Sequence, residues 1–128
     1  MGDEQLLDSW RQIETTHARV REALERALER EHQLSLSEYE VLSRLTSDPE
    51  GRYRMQDLAD EIHLSQSALS RLVQRLEEAG LATRGVCEHD RRGVWACITD
   101  SGRKSQQRAE ATHLAALGES LGGAARAA

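Results

Sequence analysis

The sequence predicts a mainly α-helical chain with one small β-hairpin, and three observations carry that expectation. An apolar stripe at spacings of four and three runs through residues 4–32. Two short apolar-faced segments then meet at His63-Leu64-Ser65, as two helices joined by a tight turn would. After them, two extended segments flank a polar, arginine-bearing tip, Glu88-His89-Asp90-Arg91-Arg92-Gly93. In that order the elements make a winged helix-turn-helix core flanked by N- and C-terminal helices. The expected organisation is one domain over 1–128, with a long helix at 4–32, the winged core at 34–99 and an abbreviated C-terminal helix at 100–121.

The first helix carries Leu6, Trp10, Ile13, His17, Val20, Leu24 and Leu28 on one face. That stripe persists for about three heptads, the pattern of a helix packed along another helix. Charged residues, Glu22 and Arg26 among them as an i,i+4 pair, mark a solvated opposite face. So long a stripe exceeds what one small domain can cover, and a partner subunit is the economical explanation.

Ser37-Glu38-Tyr39-Glu40 has the spacing of a capping box, with Leu36 and Val41 placed as its hydrophobic staple. It starts a second helix, Glu38 to about Ser47, with Val41, Leu42 and Leu45 inward. Asp48-Pro49-Glu50-Gly51 is a loop by its turn chemistry. Arg52-Tyr53-Arg54 is a short strand expected to pair with the later hairpin.

Gln56 to Ile62 is the third helix, with Leu58, Ala59 and Ile62 inward. Ala59 is small enough for the next helix to cross closely. His63 occupies a turn position that favours glycine, but histidine tolerates positive φ better than most residues. Ser65 is a good N-cap for the fourth helix, Gln66 to Ala79, which turns Leu69, Leu72, Val73 and Leu76 inward. Gly80 followed by Leu81 gives a Schellman ending. The hairpin is then strand Ala82–Cys87, tip Glu88–Gly93 and strand Val94–Thr99. Thr99 or Asp100 caps a fifth helix running to about Leu117, beyond which Gly118, Gly122 and Gly123 weaken helix formation.

Charge and cysteine content narrow the function classes. The net charge is −5, with residues 1–51 at −6, residues 52–104 at +1 and residues 105–128 balanced. The acidic surplus thus lies away from the helix-turn-helix and hairpin, and local phosphate neutralisation decides nucleic-acid affinity. No apolar run has membrane-spanning length, and the acidic, polar start predicts a cytoplasmic protein. In that compartment Cys87 and Cys97 argue against a structural disulfide. No nucleophile–base constellation or phosphate-cradling glycine loop points to catalysis, and no cofactor is implied.

The polar face of the fourth helix presents Gln66, Ser67, Ser70, Arg71, Gln74 and Arg75, with Ser65 at its start. Short hydroxyl and amide side chains there suit close approach to phosphates and base edges. Arg71 is the candidate for a bidentate guanine contact, which discriminates by about 1–3 kcal/mol. At the hairpin tip are His89, Asp90, Arg91 and Arg92, with Asp90 spaced to brace Arg92. A narrow minor groove concentrates negative potential and attracts an inserted arginine. Either feature alone is an ordinary solvated surface; their succession indicates double-stranded DNA as the partner.

Residues 34–104 resemble the winged-helix core of the multiple-antibiotic-resistance regulator (MarR) family. The matching stretches are Met55-Gln56-Asp57-Leu58-Ala59, Leu64 through Val73, Leu76-Glu77-Glu78-Ala79-Gly80-Leu81, Asp90-Arg91-Arg92 and Ile98-Thr99-Asp100-Ser101-Gly102. The resemblance implies a homodimer on a pseudo-palindromic operator, a repressor of transcription, with Arg71 in the recognition helix and Arg92, braced by Asp90, in the minor groove. It implies that the N- and C-terminal helices, 4–32 and 100–121, are dimerisation helices, and that a small aromatic effector binds in a crevice between them and the DNA-binding lobe, where Trp10 and His17 are the candidate contacts. Packing is the usual role of such side chains. The family's further C-terminal helix has no full counterpart in this sequence, where Leu117, Leu121 and small residues follow the fifth helix. Either the chain is trimmed at this end or dimerisation leans on residues 4–32.

Two other readings fit the same residues. One is a winged-helix protein-interaction module that reads no DNA, in keeping with the acidic total. The other is a thiol or metal sensor built on the wing cysteines. Cys87, His89 and Cys97 lack a fourth ligand at a recognisable spacing, so no metal site is expected.

Overall fold

A computed structural model describes residues 1–87 and 90–127, with backbone alone for 86–87, 90–92 and 123–127. The elements are α1 (Asp3–His32), α2 (Leu36–Ser47), β1 (Arg52–Arg54), α3 (Met55–Ile62), α4 (Gln66–Glu78), β2 (Ala82–Cys87), β3 (Asp90–Ile98) and α5 (Asp100–Ala127).

Helix α1 is 30 residues long, which at 1.5 Å per residue spans about 45 Å. Only its C-terminal part enters the core, through Leu24 and Leu28 with Val20 beside them. The rest of the predicted stripe faces outward: Leu6, Trp10 and Ile13 are 52%, 57% and 61% exposed. α1 packs along α5. The two are tied where the Thr112 hydroxyl donates to Glu31 Oε2 and lies 2.8 Å from His32 Nε2. That hydroxyl's single proton goes to the carboxylate, so His32 carries a proton on Nε2 and donates.

Helix α2 begins two residues before the predicted start. Its N-cap is Ser35, not Ser37: Ser35 Oγ accepts from the Glu38 N–H at 3.0 Å, and Glu38 Oε1 accepts from the Ser35 N–H at 2.8 Å. Both serines fit the capping-box spacing, and tertiary contacts decide between them. Glu25 of α1 accepts the Leu36 N–H at 2.7 Å, and Ser37 Oγ accepts from Arg21 instead. The earlier start also buries Leu36 and Tyr39 beside Val41, Leu42 and Leu45.

His63 adopts φ 59° and ψ 41°, the left-handed conformation expected of that turn position, and Leu64 N–H donates to Ala59 O at 3.0 Å. Ser65 caps α4 by accepting from the Ala68 N–H. α4 ends in a Schellman motif, with Leu81 N–H donating to Leu76 O and Gly80 N–H to Glu77 O, each at 2.9 Å; Gly80 has φ 76°.

The strands form one antiparallel sheet of order β1-β3-β2. Arg54 lies opposite Trp95, and Ala82 opposite Ile98. The hairpin is tighter than the predicted Glu88–Gly93 tip, because β3 already begins at Asp90. Val86 pairs with Val94 but Cys87 pairs with Asp90. The register thus shifts between Val86 and Cys87, and Arg91, Arg92 and Gly93 have no cross-strand partner on β2, as in a β-bulge.

Helix α5 corrects the predicted end near Leu117 and the 100–121 span, for it runs unbroken to Ala127. Thr99 caps it, with Oγ1 accepting from the Gly102 N–H at 3.0 Å. Isolated glycines in a helix each cost about 1 kcal/mol. Ala109, Ala116 and Leu117 pack against the core just ahead of these glycines.

Candidate nucleic-acid interface

Helix α4 sorts its side chains into a buried side, an open ridge and a flank. Leu69, Leu72, Val73 and Leu76 are buried. At about 100° per residue, Ser67, Arg71, Gln74 and Glu78 lie opposite them, and all four are exposed. Arg75 is exposed at the border of that ridge, and Gln66 is exposed on the first turn of the helix. Ser65, exposed at the helix start, spends its hydroxyl on the cap and lies 3.3 Å from Ser67 Oγ. The helix thus offers one serine, one arginine and one glutamine along its open face, with Glu78 at the far end of the same ridge.

Ser70 stands apart from the other predicted contacts. It is half-buried on the flank turned toward the sheet, and its Oγ accepts from Arg84 Nη1 at 2.8 Å. Of the predicted wing residues, His89 lies outside the described residues. Asp90, Arg91 and Arg92 are in β3 by backbone, and the bracing of Arg92 by Asp90 lies outside the described side chains.

Sequence reasoning missed the base of the wing. Arg52 and Arg54 lie over the Trp95 ring, 4.9 and 5.5 Å from its centroid. The signal was the Arg-x-Arg alternation, which puts two cations on one face of a strand. Arg52 also pairs with Glu50 at 2.6 Å. Arg84 adds a third guanidinium on β2, near enough to Glu77 for an ion pair at 3.8 Å.

Away from α4, a cleft of 630 Å³ opens between α1, α2 and the end of α5. Ile13, Val20, Leu24, Leu36 and Leu121 give it apolar walls, and His17, Arg21 and Glu40 supply polar groups. Of the two predicted effector contacts, His17 lines this cleft and Trp10 does not. A smaller cleft of 390 Å³ lies on the other side of Glu40, lined by Tyr39, Glu61, His63 and His113. The Tyr39 and His113 rings stack there, with centroids 4.6 Å apart. Burial raises the pKa of Glu40 despite the opposing charges of Arg21 and Arg44. Burial likewise lowers that of His113 and raises that of Tyr39.

Cys97 is half-buried with a free thiol, and the Cys87 side chain lies outside the described residues. Among the described residues no group of three or more His, Cys, Asp or Glu is arranged to hold a metal ion. No described helix is long and apolar enough to cross a membrane.

A family model described as MarR family matches residues 32–93. Sco3205 of Streptomyces coelicolor, a MarR family transcriptional regulator solved in complex with DNA, is 30% identical over 94% of this chain and 76% of that one, with a TM-score of 0.84. AbsC, a MarR family transcriptional regulator from the same organism, is 31% identical over 94% of this chain and 80% of its own, with a TM-score of 0.83. CouR of Rhodococcus jostii RHA1, solved with p-coumaroyl-CoA bound, is 30% identical over 84% of this chain and 73% of that chain, with a TM-score of 0.76.

Proposed function

This chain belongs to the MarR family and is a DNA-binding transcription regulator, and on that premise we propose that it acts as a homodimeric repressor on a pseudo-palindromic operator. Its α4 enters the major groove and its wing follows the backbone into the adjacent minor groove. The observation that carries the reading is the open ridge of Ser67, Arg71 and Gln74 on a helix whose opposite side is wholly buried. Arg71 reads a guanine, Gln74 and Ser67 meet neighbouring edges and phosphates, and Arg92 enters the minor groove.

Two such heads must be held about 34 Å apart to meet successive turns of one face of the duplex. The exposed Leu6, Leu7, Trp10 and Ile13 of α1, with Leu114 and Leu121 of α5, supply an apolar surface for the second copy. Trp10 serves that surface in this reading, which leaves His17 for the effector. The 630 Å³ cleft suits a small aromatic effector: apolar walls take the ring, and His17, Arg21 and Glu40 take its polar substituents. Nothing in this scheme calls for enzymatic chemistry.

Gel shift on a fragment carrying the chain's own promoter is the test. Arg71→Ala is expected to weaken specific binding about 10- to 100-fold, the equivalent of one bidentate base contact. Arg92→Ala is expected to weaken it as well, and unchanged binding would remove the wing from the scheme. Sedimentation reports the dimer. Release of DNA by aromatic acids or their thioesters, abolished in His17→Ala, reports the effector site.

A further inference from the structure

We propose that Arg84 is a positioning residue for DNA binding: it sets the angle between α4 and the wing and makes no phosphate contact of its own. This inference rests on the reading of α4 as the helix that enters the groove. Arg84 stands on β2, three residues beyond the Leu81 that closes α4's Schellman ending. Its backbone N–H donates to Glu77 Oε2 at 3.1 Å, and its Nε lies 3.8 Å from Glu77 Oε1. One carboxylate on the last turn of α4 therefore grips both the main chain and the side chain of the wing strand.

The guanidinium continues along the flank of α4 to Ser70, where Nη1 donates at 2.8 Å. Ser70 and Glu77 are two helical turns apart, about 10 Å along the axis. A side chain fastened at both ends of that interval resists swinging of β2 relative to α4, which a single contact at the Schellman corner would allow. The same fastening lays the guanidinium along the flank of α4, with Nη1 given to Ser70 and Nε beside the Glu77 carboxylate, which offsets its charge toward phosphates. It also holds Ser70, half-buried on the flank, to the clamp and away from the open ridge that reads bases.

Helix and wing must meet different grooves together, and a misplacement of about 1 Å can cost a hundredfold in a positioned contact. The test compares Arg84→Ala, Glu77→Gln and, as reference, Arg71→Ala, each checked for a cooperative melt by circular dichroism. Affinities for the operator are measured over a salt series. Arg84→Ala is expected to bind about tenfold more weakly with an unchanged slope of log K against log salt, whereas loss of a phosphate contact lowers that slope by about 0.9. Glu77→Gln removes a negative charge near DNA, so electrostatics alone would tighten binding; the clamp predicts weaker binding. The double variant is expected to be no weaker than Arg84→Ala, because both changes open one clamp. A reduced slope in Arg84→Ala, unaltered affinity, or tighter binding by Glu77→Gln would overturn the proposal. Unaltered binding by Arg71→Ala would instead unseat the reading of α4 on which it rests. Should Arg84→Ala fail to melt cooperatively, Glu77→Gln carries the test by the sign of its effect.

Discussion

Gly102, in the first turn of α5, is the position where one added methyl group does the most damage. A Cβ there would collide with the Leu81 carbonyl and stand 2.8 Å from Ile98 Cγ1. The carbonyl cannot retreat cheaply, because Leu81 O accepts from the Thr99 N–H at 3.2 Å and Gly80 O accepts from the Thr99 hydroxyl at 2.7 Å. Relieving the clash means separating the two elements by about 1 Å, at an overpacking cost of roughly 1–3 kcal/mol. Straining or breaking the two hydrogen bonds adds about 1 kcal/mol each. Gly102→Ala is therefore expected to lose about 3–5 kcal/mol. At roughly 3–4 °C per kcal/mol for a domain of this size, the melting temperature should fall by 10 °C or more. The assay is thermal and urea unfolding followed by circular dichroism, with protomer concentration held fixed because association would shift the midpoint. A fall of less than about 3 °C, below the cost of even mild overpacking, would refute the argument that this corner is closed to a side chain.

Other outcomes follow from the same geometry. Glu40 has a raised pKa in the folded chain, so it binds protons there more readily than in the unfolded chain, and stability declines as pH rises from 4.5 through that raised value. Glu40→Gln should consequently raise the melting temperature at pH 7, with the gain shrinking toward zero below pH 4.5; a gain that persists in acid would contradict the assignment to charge burial. For His113 the sign is opposite, since a lowered pKa means stability is lost as pH falls below 6.5; His113→Gln should flatten that limb of the profile. Ser65→Ala removes the acceptor for the Ala68 N–H and should cost about 1 kcal/mol, readable in urea midpoints. Ile13→Glu places a charge on the exposed α1 stripe and should leave folding intact while shifting sedimentation toward the monomer.

Much of the architecture was legible because local chemistry and tertiary packing agree. His63 was read as a positive-φ turn residue, and it adopts one. Ser65 and Gly80 are punctuation by sequence and each makes its expected hydrogen bond, and of Thr99 and Asp100, both candidate caps for α5, it is Thr99 that accepts from the Gly102 N–H. The misreadings occur where distant residues arbitrate. Ser35 and Ser37 satisfy the capping-box pattern equally from sequence, and Glu25, eleven positions from Leu36 along the chain, favours the earlier start. The glycines of α5 weaken a helix in isolation, yet α5 packs along α1 and runs on through them. The hairpin tip narrowed because Val86 and Val94 set a register that the polar tip residues could not reveal. Of the site, the open ridge of α4 was legible from periodicity. The attachment of Arg84 to Ser70 and Glu77 was not, since only a β-hairpin folded back on α4 brings those residues together.

The Thr99 bonds to Gly80 and Leu81 make a corner at which α5 starts and α4 stops. Helix α4, with 13 residues, is about 20 Å long and packed along that length, so a movement of the corner that carried the helix with it would displace its Ser67 end as a lever does. A tilt of only about 5° at that corner sweeps the Ser67 end through an arc of roughly 1.7 Å at this length, comparable with the tolerance of a hydrogen bond to a base edge. In a paired molecule the two arms would swing together. The distance between them would then report the posture of α5, much as the gap between caliper jaws reports the turn of the screw.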